Sequence, residues 1–266
     1  MFSGTISKKR SIRFLGMHQK VVKYAYRIFV FYKPNLQYFP TTKDILEYEG
    51  HLGPDHIWLS KAIDNDHHFH PETGTGDALE LINYHFKKLS AELAQKEPDR
   101  HLTSYHSAYL AHFVADMFTP PHIEEKNNVT EPEYYAKLRI FAKFVRFMLR
   151  TRKGKKEFKH QAFETNLWRA TFGRKIKIEL PEGEPLKIAE EIAADPAEYL
   201  TPMIRKTYQL KLFTNYKRNG WSKQISRKLR YVVLPRAVTT VAMFWLAACI
   251  EAQKMKNSGK RRTFKV

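Results

Sequence analysis

Histidines followed four residues later by an acid are the feature of this sequence most able to do chemistry. Four such pairs occur, whereas twelve histidines and 27 acidic residues among 266 predict about 1.2 by chance. The pairs are His51/Asp55, His68/Glu72, His112/Asp116 and His160/Glu164. In a helix this spacing puts both side chains on one face, about 6 Å apart along the axis, close enough to share one ion. The first two pairs lie in Gly- and Pro-rich segments, so only the last two indicate paired ligands on a helix.

The segment from Ala108 to His122 carries the strongest indication of a metal site. His112 and Asp116 interrupt an otherwise apolar helical pattern, and burying them without a partner would be unfavourable. A divalent cation removes that penalty, because neutral imidazole and carboxylate are good zinc ligands. Pro120 and Pro121 are expected to stop the helix and to bring His122 near the same place.

Composition narrows the kind of metal site and the kind of partner. The single cysteine, Cys249, excludes a thiolate zinc cluster, an iron–sulfur site and a disulfide framework, so histidines and carboxylates must hold any metal. All twelve histidines lie at or before His160, which predicts a site built by roughly the first 165 residues. A net charge of +19 and a pI near 9.8 indicate an anionic substrate or partner.

The elements that must position these residues are predicted to be helices. Apolar residues recur at i, i+3/i+4 spacing in eight segments: 14–32, 77–93, 103–117, 133–150, 158–170, 184–194, 197–212 and 234–254. Loops are predicted at 34–40, 50–55, 71–76, 119–122 and 181–185, and residues 175–180 are the only strand candidate. The expected fold class is all-α, with one multi-helix domain over 14–253 between basic tails at 1–13 and 254–266.

Targeting signals are weak in this sequence. The basic N-terminal segment is not followed by the apolar segment that a signal peptide needs. This absence and the presence of a single cysteine favour a cytoplasmic location. The apolar run 238–250 is shorter than the roughly 20 residues of a membrane span. We therefore expect no transmembrane span and a buried core helix over 238–250.

Several motifs together resemble the zinc-dependent phospholipase C family, whose superfamily also includes the fungal single-strand-specific nucleases. The most specific is H-x3-D-x5-H from His112 to His122, with Pro before the last His and a separate H-x3-E at His160. The other landmarks follow in family order: Met17-His18, Gly53-Pro54-Asp55, His68-Phe69-His70-Pro71 and the closing helix from Arg236 to Trp245. The resemblance covers roughly residues 15–250 and implies an all-α domain of the phospholipase C/P1 nuclease type.

The resemblance also implies two or three zinc ions and a ligand set for each. The implied ligands are Asp55, His68, His112 and Asp116 for the first ion, His122, His160 and Glu164 for the second, and His18 with a bridging Asp116 for the third. In relatives an aromatic N-terminal residue completes the third site, whereas this chain begins Met1-Phe2-Ser3. We therefore expect the third site to be weak or empty.

Neighbouring side chains leave alternatives for two of these ligands. His67 and His70 are rivals of His68, which is preferred because Phe69 follows it. A long basic insert separates His122 from His160, and Glu124 and Glu125 are alternative donors close to His122.

The implied activity is hydrolysis of a phosphodiester by metal-activated water in line with the leaving group, with Asp55 as a ligand that could also act as the base. A phospholipid substrate is favoured by the basic–aromatic segment 140–150, which could lie on an anionic membrane. Single-stranded nucleic acid is favoured by the net charge and by the basic cluster 150–156. A third hypothesis is that the protein is a non-catalytic relative that binds metal only for stability. The near-complete ligand set argues against it, since a structural zinc needs only four ligands.

Overall fold

The computed structural model describes residues 15–32, 38–49, 53–54, 68–124 and 152–263. Within these ranges the regular elements are helices, and the only β pairing is an isolated bridge between His70 and Thr75. The predicted all-α class is confirmed at this level. The α-helices are, in chain order: α1 Met17–Tyr32, α2 Thr42–Glu49, α3 Ala78–Leu93, α4 Arg100–Asp116, α5 Pro120–Glu124, α6 Arg152–Thr171, α7 Pro185–Ala194, α8 Pro196–Tyr208, α9 Leu212–Asn219, α10 Lys223–Lys228 and α11 Leu234–Thr263. A π-helical segment, Leu229–Val233, joins α10 to α11.

Helix α11 forms the centre of the structure, because its middle part is apolar on every side. Every residue from 241 to 249 is buried. A helix of this kind must be covered all round, and α1, α3, α4 and α7 pack against it. The indole N–H of the fully buried Trp245 donates to the carbonyl of Ser107 at 3.1 Å. This bond fixes α11 against α4, the helix that carries His112 and Asp116.

The stretch Lys223–Ser258 is long and apolar enough to cross a membrane by length and composition. Its most apolar window is 83% buried inside the protein. The burial confirms the predicted core helix over 238–250. It also makes the stretch weak evidence for a membrane span, since a central core helix has the same composition.

Aspartate side chains determine where two of the helices begin. The Asp99 carboxylate accepts hydrogen bonds from the backbone N–H groups of His101 at 2.6 Å and Leu102 at 3.0 Å. These bonds satisfy donors that lack a partner in the first turn, so α4 begins three residues before the apolar spacing predicts. Asp195 caps α8 in the same way, by accepting from the N–H groups of Ala197 and Glu198.

The structure corrects several of the predicted boundaries. Residues 119–122, predicted as a loop, contain the start of α5, because proline is well accommodated in the first turn of a helix. Residues 175–180, the strand candidate, have no regular structure and no partner strand among the described residues. The tail predicted from residue 254 is helical as far as Thr263.

The apolar spacing in the sequence did not predict three short helices. Helices α2, α9 and α10 contain eight, eight and six residues, which is too few turns for a helical period to stand out. The predicted helix at 133–150 and the N-terminal tail at 1–13 lie outside the described residues.

A pair of histidines that the motifs do not include lies between α3 and α4. Nδ1 of His85 is 3.0 Å from Nδ1 of His106, and both rings are buried beside Tyr105. Burial lowers the pKa of His85 to about 3, and the neighbouring His106 adds to the effect. Burial also lowers the pKa of His106 to about 4, with a further contribution from Lys88. Both imidazoles are therefore neutral in the folded protein at pH 7.

We expect this pair to make the folded state less stable in mild acid. Unfolding returns each pKa towards 6.5, so below that pH the unfolded chain binds more protons than the folded one. The free energy of unfolding should therefore fall as the pH is lowered from 6.5 towards 4. Urea denaturation at intermediate pH values in the presence of a chelator measures this slope. His106→Gln, which keeps a polar group opposite His85 but does not titrate, should flatten it, and an unchanged slope would contradict the assignment.

Candidate metal centre

Two helices bring three of the predicted ligands into one fully buried group. His18 lies in the first turn of α1, and His112 and Asp116 lie in the last turns of α4. Nε2 of His18 is 3.2 Å from Oδ1 of Asp116, and Nε2 of His112 is 3.3 Å from Oδ2. The two imidazole rings are stacked, with centroids 3.9 Å apart and planes inclined by 14°. The spacing between His112 and Asp116 is the one predicted for a shared helix face.

Helices α5 and α6 bring three more predicted ligands into a second group. Nε2 of His160 is 3.0 Å from Oε1 of Glu164, one turn further along α6. Nε2 of His122, from α5, is 3.4 Å from the same oxygen. In each group one donor atom from every residue lies within 4.8 Å of the other two, which is compatible with binding one ion.

Asp116 joins the two groups. Its Oδ1 is 3.5 Å from Nε2 of His122, in addition to its contact with His18. Asp116 is the last residue of α4, where the helix dipole disfavours a negative charge. The side chain is nevertheless completely buried, so the surrounding histidines, or a cation that they bind, must compensate its charge.

His68 lies beside the second group. The backbone N–H of Phe69 donates to the carbonyl of His122 at 3.1 Å. The His68 ring stacks on His122 with centroids 4.9 Å apart, and its centroid is 6.0 Å from that of His160. The grouping implied by the resemblance is different, since it places His68 with His112 and assigns His18 to a separate ion.

The alternative donors named from the sequence have other contacts or cannot be located. The Glu124 carboxylate accepts hydrogen bonds from the N–H groups of Phe213 at 3.0 Å and Thr214 at 2.8 Å, so it caps α9 instead of joining His122. Nδ1 of His70 is 3.2 Å from the hydroxyl of Thr73 within its own turn. The residues that lie outside the described ranges are Asp55, His67, Glu125 and the segment 140–150.

Glu49 is a member of this site that the sequence motifs did not identify. It is the last residue of α2 and is fully buried. Its Oε1 is 3.1 Å from Nδ1 of His112 and 3.7 Å from Nδ1 of His18. One signal was available, because Glu49 follows Ile45 by four residues and therefore shares its buried face.

The electrostatic environment suits metal ligands in both groups. Burial raises the pKa of Asp116 and the neighbouring His122, His112 and His18 lower it, and this pKa lies well below its ordinary value. Burial also raises the pKa of Glu164, His160 and His122 lower it, and this pKa is likewise well below its ordinary value. Burial lowers the pKa of His122 to about 3, against the opposing effect of Asp116, so its imidazole is neutral at pH 7. Ionised carboxylates and neutral imidazoles are the forms that bind zinc.

Side chains at the start of α1 hold it against the end of α6. The buried ammonium of Lys20 donates to the carbonyl of Thr171 at 3.1 Å, and burial lowers the pKa of Lys20 to about 8. The indole N–H of Trp168 donates to the carbonyl of Leu15 at 3.1 Å. These two bonds connect the helix that carries His18 to the helix that carries His160 and Glu164, so they fix the relative position of the two groups.

A glycine allows the turn that carries His68 to close. Gly76 has φ +113°, and a Cβ at this position would lie 2.0 Å from the carbonyl oxygen of His68. Two bonds complete the turn, from the N–H of His70 to the carbonyl of Thr75 at 2.8 Å and from the N–H of Gly74 to the carbonyl of His70 at 2.9 Å. A side chain at residue 76 would therefore displace the backbone of His68.

We expect Gly76→Ala to destabilise the protein more than a matched change in the same turn. Gly74→Ala is the control, since Gly74 has φ +67° and no atom within 4 Å of its Cβ position. The control should lower the free energy of unfolding only by the cost of a left-handed backbone at a non-glycine residue, about 1–2 kcal/mol. Gly76→Ala adds a collision of the new Cβ with the backbone of His68, so it should lower the free energy of unfolding further, as measured by urea denaturation. Equal losses would show that the close approach to His68 does not constrain the turn.

No protein-family profile matches this chain. Comparison with the curated proteins and with the solved structures likewise finds no match. The resemblance to zinc-dependent phospholipases C therefore rests on the sequence motifs.

Proposed function

We propose that this protein is a zinc-dependent phosphodiester hydrolase similar to the phospholipase C family. The observation that carries the proposal is the position of Asp116 between two groups of histidine and carboxylate donors, the first fully buried and the second partly exposed. Each group offers two imidazoles and one carboxylate, a donor set that occurs in catalytic zinc sites with an open position for water or substrate. A single structural zinc would not need six such donors arranged around a shared carboxylate.

The residues have separate roles in this proposal. His18, His112 and Asp116 would hold one ion, and His122, His160 and Glu164 a second, with His68 beside it. Zinc ions bound in this way lower the pKa of coordinated water to about 7 and neutralise phosphoryl oxygens. Asp116 keeps the two groups together through its contacts with His18, His112 and His122. Burial keeps bulk water away from the first group, where all three side chains are completely enclosed.

The substrate class follows from charge and from the resemblance. A chain with net charge +19 attracts anions, and a phosphodiester carries one negative charge at neutral pH. Phospholipid is the first candidate, and single-stranded nucleic acid is the second. Parallel assays on phosphatidylcholine vesicles and on single-stranded DNA separate the two.

We expect the protein, purified without chelator, to contain at least two zinc equivalents per chain, one for each group of donors. Elemental analysis measures the content. His160→Gln should lose one equivalent, because it removes a donor from the second group. His101→Gln should lose none, since His101 is exposed and contacts Tyr48 instead. A preparation with well under one equivalent, not restored by added zinc, would contradict the proposed centre.

We expect Asp116→Asn to lower the turnover of the phosphodiester substrate at least about a hundredfold. The amide keeps the shape of the side chain but removes the charge that both groups share. The loss corresponds to about 2.7 kcal/mol of transition-state stabilisation. The fold should survive, because the apolar neighbours Phe113 and Met117 remain buried in the core. Steady-state kinetics, with circular dichroism as the check of folding, gives the comparison.

Glu72→Gln is the matched control for this substitution. Glu72 also follows a histidine by four residues, but its side chain is exposed in the turn 71–74, with Oε1 3.8 Å from Nζ of Lys211. It should retain nearly full activity. If Asp116→Asn kept wild-type turnover with full metal content, the shared carboxylate would have no role in catalysis.

A further inference from the structure

We propose that Glu49 is a positioning residue of the metal centre, which fixes the imidazole of His112 so that Nε2 is the metal-binding atom. The inference rests on the proposed zinc centre, and it concerns a residue outside the ligand set drawn from the sequence. It predicts a defined proton position on His112. That position can be measured whether or not the protein turns over a substrate.

The imidazoles of His18 and His112 lie between two carboxylates. The Nε2 atoms of both rings are within 3.3 Å of an Asp116 oxygen. On the opposite edge, Nδ1 of His112 is 3.1 Å from Oε1 of Glu49, and Nδ1 of His18 is 3.7 Å from the same atom. Because the rings are stacked almost in parallel, both present the same edge to Asp116 and the other edge to Glu49.

The contact with Glu49 determines which nitrogen of His112 carries the hydrogen. A carboxylate only accepts hydrogen bonds, so Nδ1 of His112 must be the donor at 3.1 Å. In a neutral imidazole the other nitrogen, Nε2, then keeps its lone pair on the edge that faces Asp116, and a cation shared by the two residues would accept it. Carboxylates that accept from metal-bound histidines hold the ring in the required orientation and make it a stronger ligand.

His18 is affected by Glu49 through charge and packing. Its Nδ1 is 3.7 Å from Oε1, which is longer than a hydrogen bond, but both side chains are fully buried. The stacking on His112 then keeps the two rings in the same orientation.

The backbone around Glu49 is also closely constrained. Helix α2 packs on α4 and α1, with Ile45 completely buried on the same face as Glu49. A Cβ on Gly53 would lie 2.5 Å from the carbonyl oxygen of Glu49, so the backbone of Gly53 packs closely against the end of α2.

Zinc binding by Glu49→Gln is the first test. Titration with zinc in competition with a chelator should show a ten- to hundredfold weaker affinity for one bound ion, the usual effect of losing such a partner. Affinity for the other ion should change little, because Glu49 contacts His112 and His18 of the first group. Glu47→Gln is the matched control, since Glu47 lies on the same helix with its side chain exposed. Equal affinities in the two variants would overturn the proposal.

The second test does not require the variant to fold. In zinc-bound wild-type protein with ¹⁵N-labelled histidine, the ring resonances of His112 should show hydrogen on Nδ1 and none on Nε2, where the metal would bind. A hydrogen on Nε2 of His112 would overturn the proposal. A protein that binds zinc and shows both Glu49 effects, but hydrolyses no phosphodiester, would refute the proposed function alone.

Discussion

The burial of the Asp116 carboxylate is the constraint on which the rest of this structure depends. A negative charge at the last position of α4 is opposed by the helix dipole and by the loss of water. The imidazoles of His18, His112 and His122 come from three helices, and all three lie within 3.5 Å of its oxygens. The arrangement of α1, α4 and α5 can be understood as the way in which the chain surrounds this one group.

Contacts remote from the carboxylate hold those helices in place. Trp245 ties α4 to the central helix α11, and Lys20 and Trp168 tie the start of α1 to α6. Glu124 connects α5 to the beginning of α9 through two backbone N–H groups. These bonds join side chains to backbone groups, so they fix helix positions without supplying charge to the site.

Two buried histidine pairs in the described part of the chain illustrate how environment decides chemistry. His85 and His106 face each other among aromatic rings, and burial keeps both neutral at pH 7. His18 and His112 are equally buried, but carboxylates lie on both edges of their stacked rings. A cluster of the first kind adds a pH dependence to stability. A cluster of the second kind concentrates negative charge around imidazole lone pairs, which favours a cation.

The sequence by itself determined the local parts of the site. The pairs His112/Asp116 and His160/Glu164 are four residues apart on helices, and this spacing alone puts each pair on one face. The all-α class and the buried helix over 238–250 follow from the same apolar period. Only the tertiary structure decided that His18 meets His112, that His68 lies beside His122, and that Glu49 reaches both rings of the first group. These contacts join residues dozens of positions apart, so they depend on how the helices pack and leave no mark in the spacing of neighbouring residues.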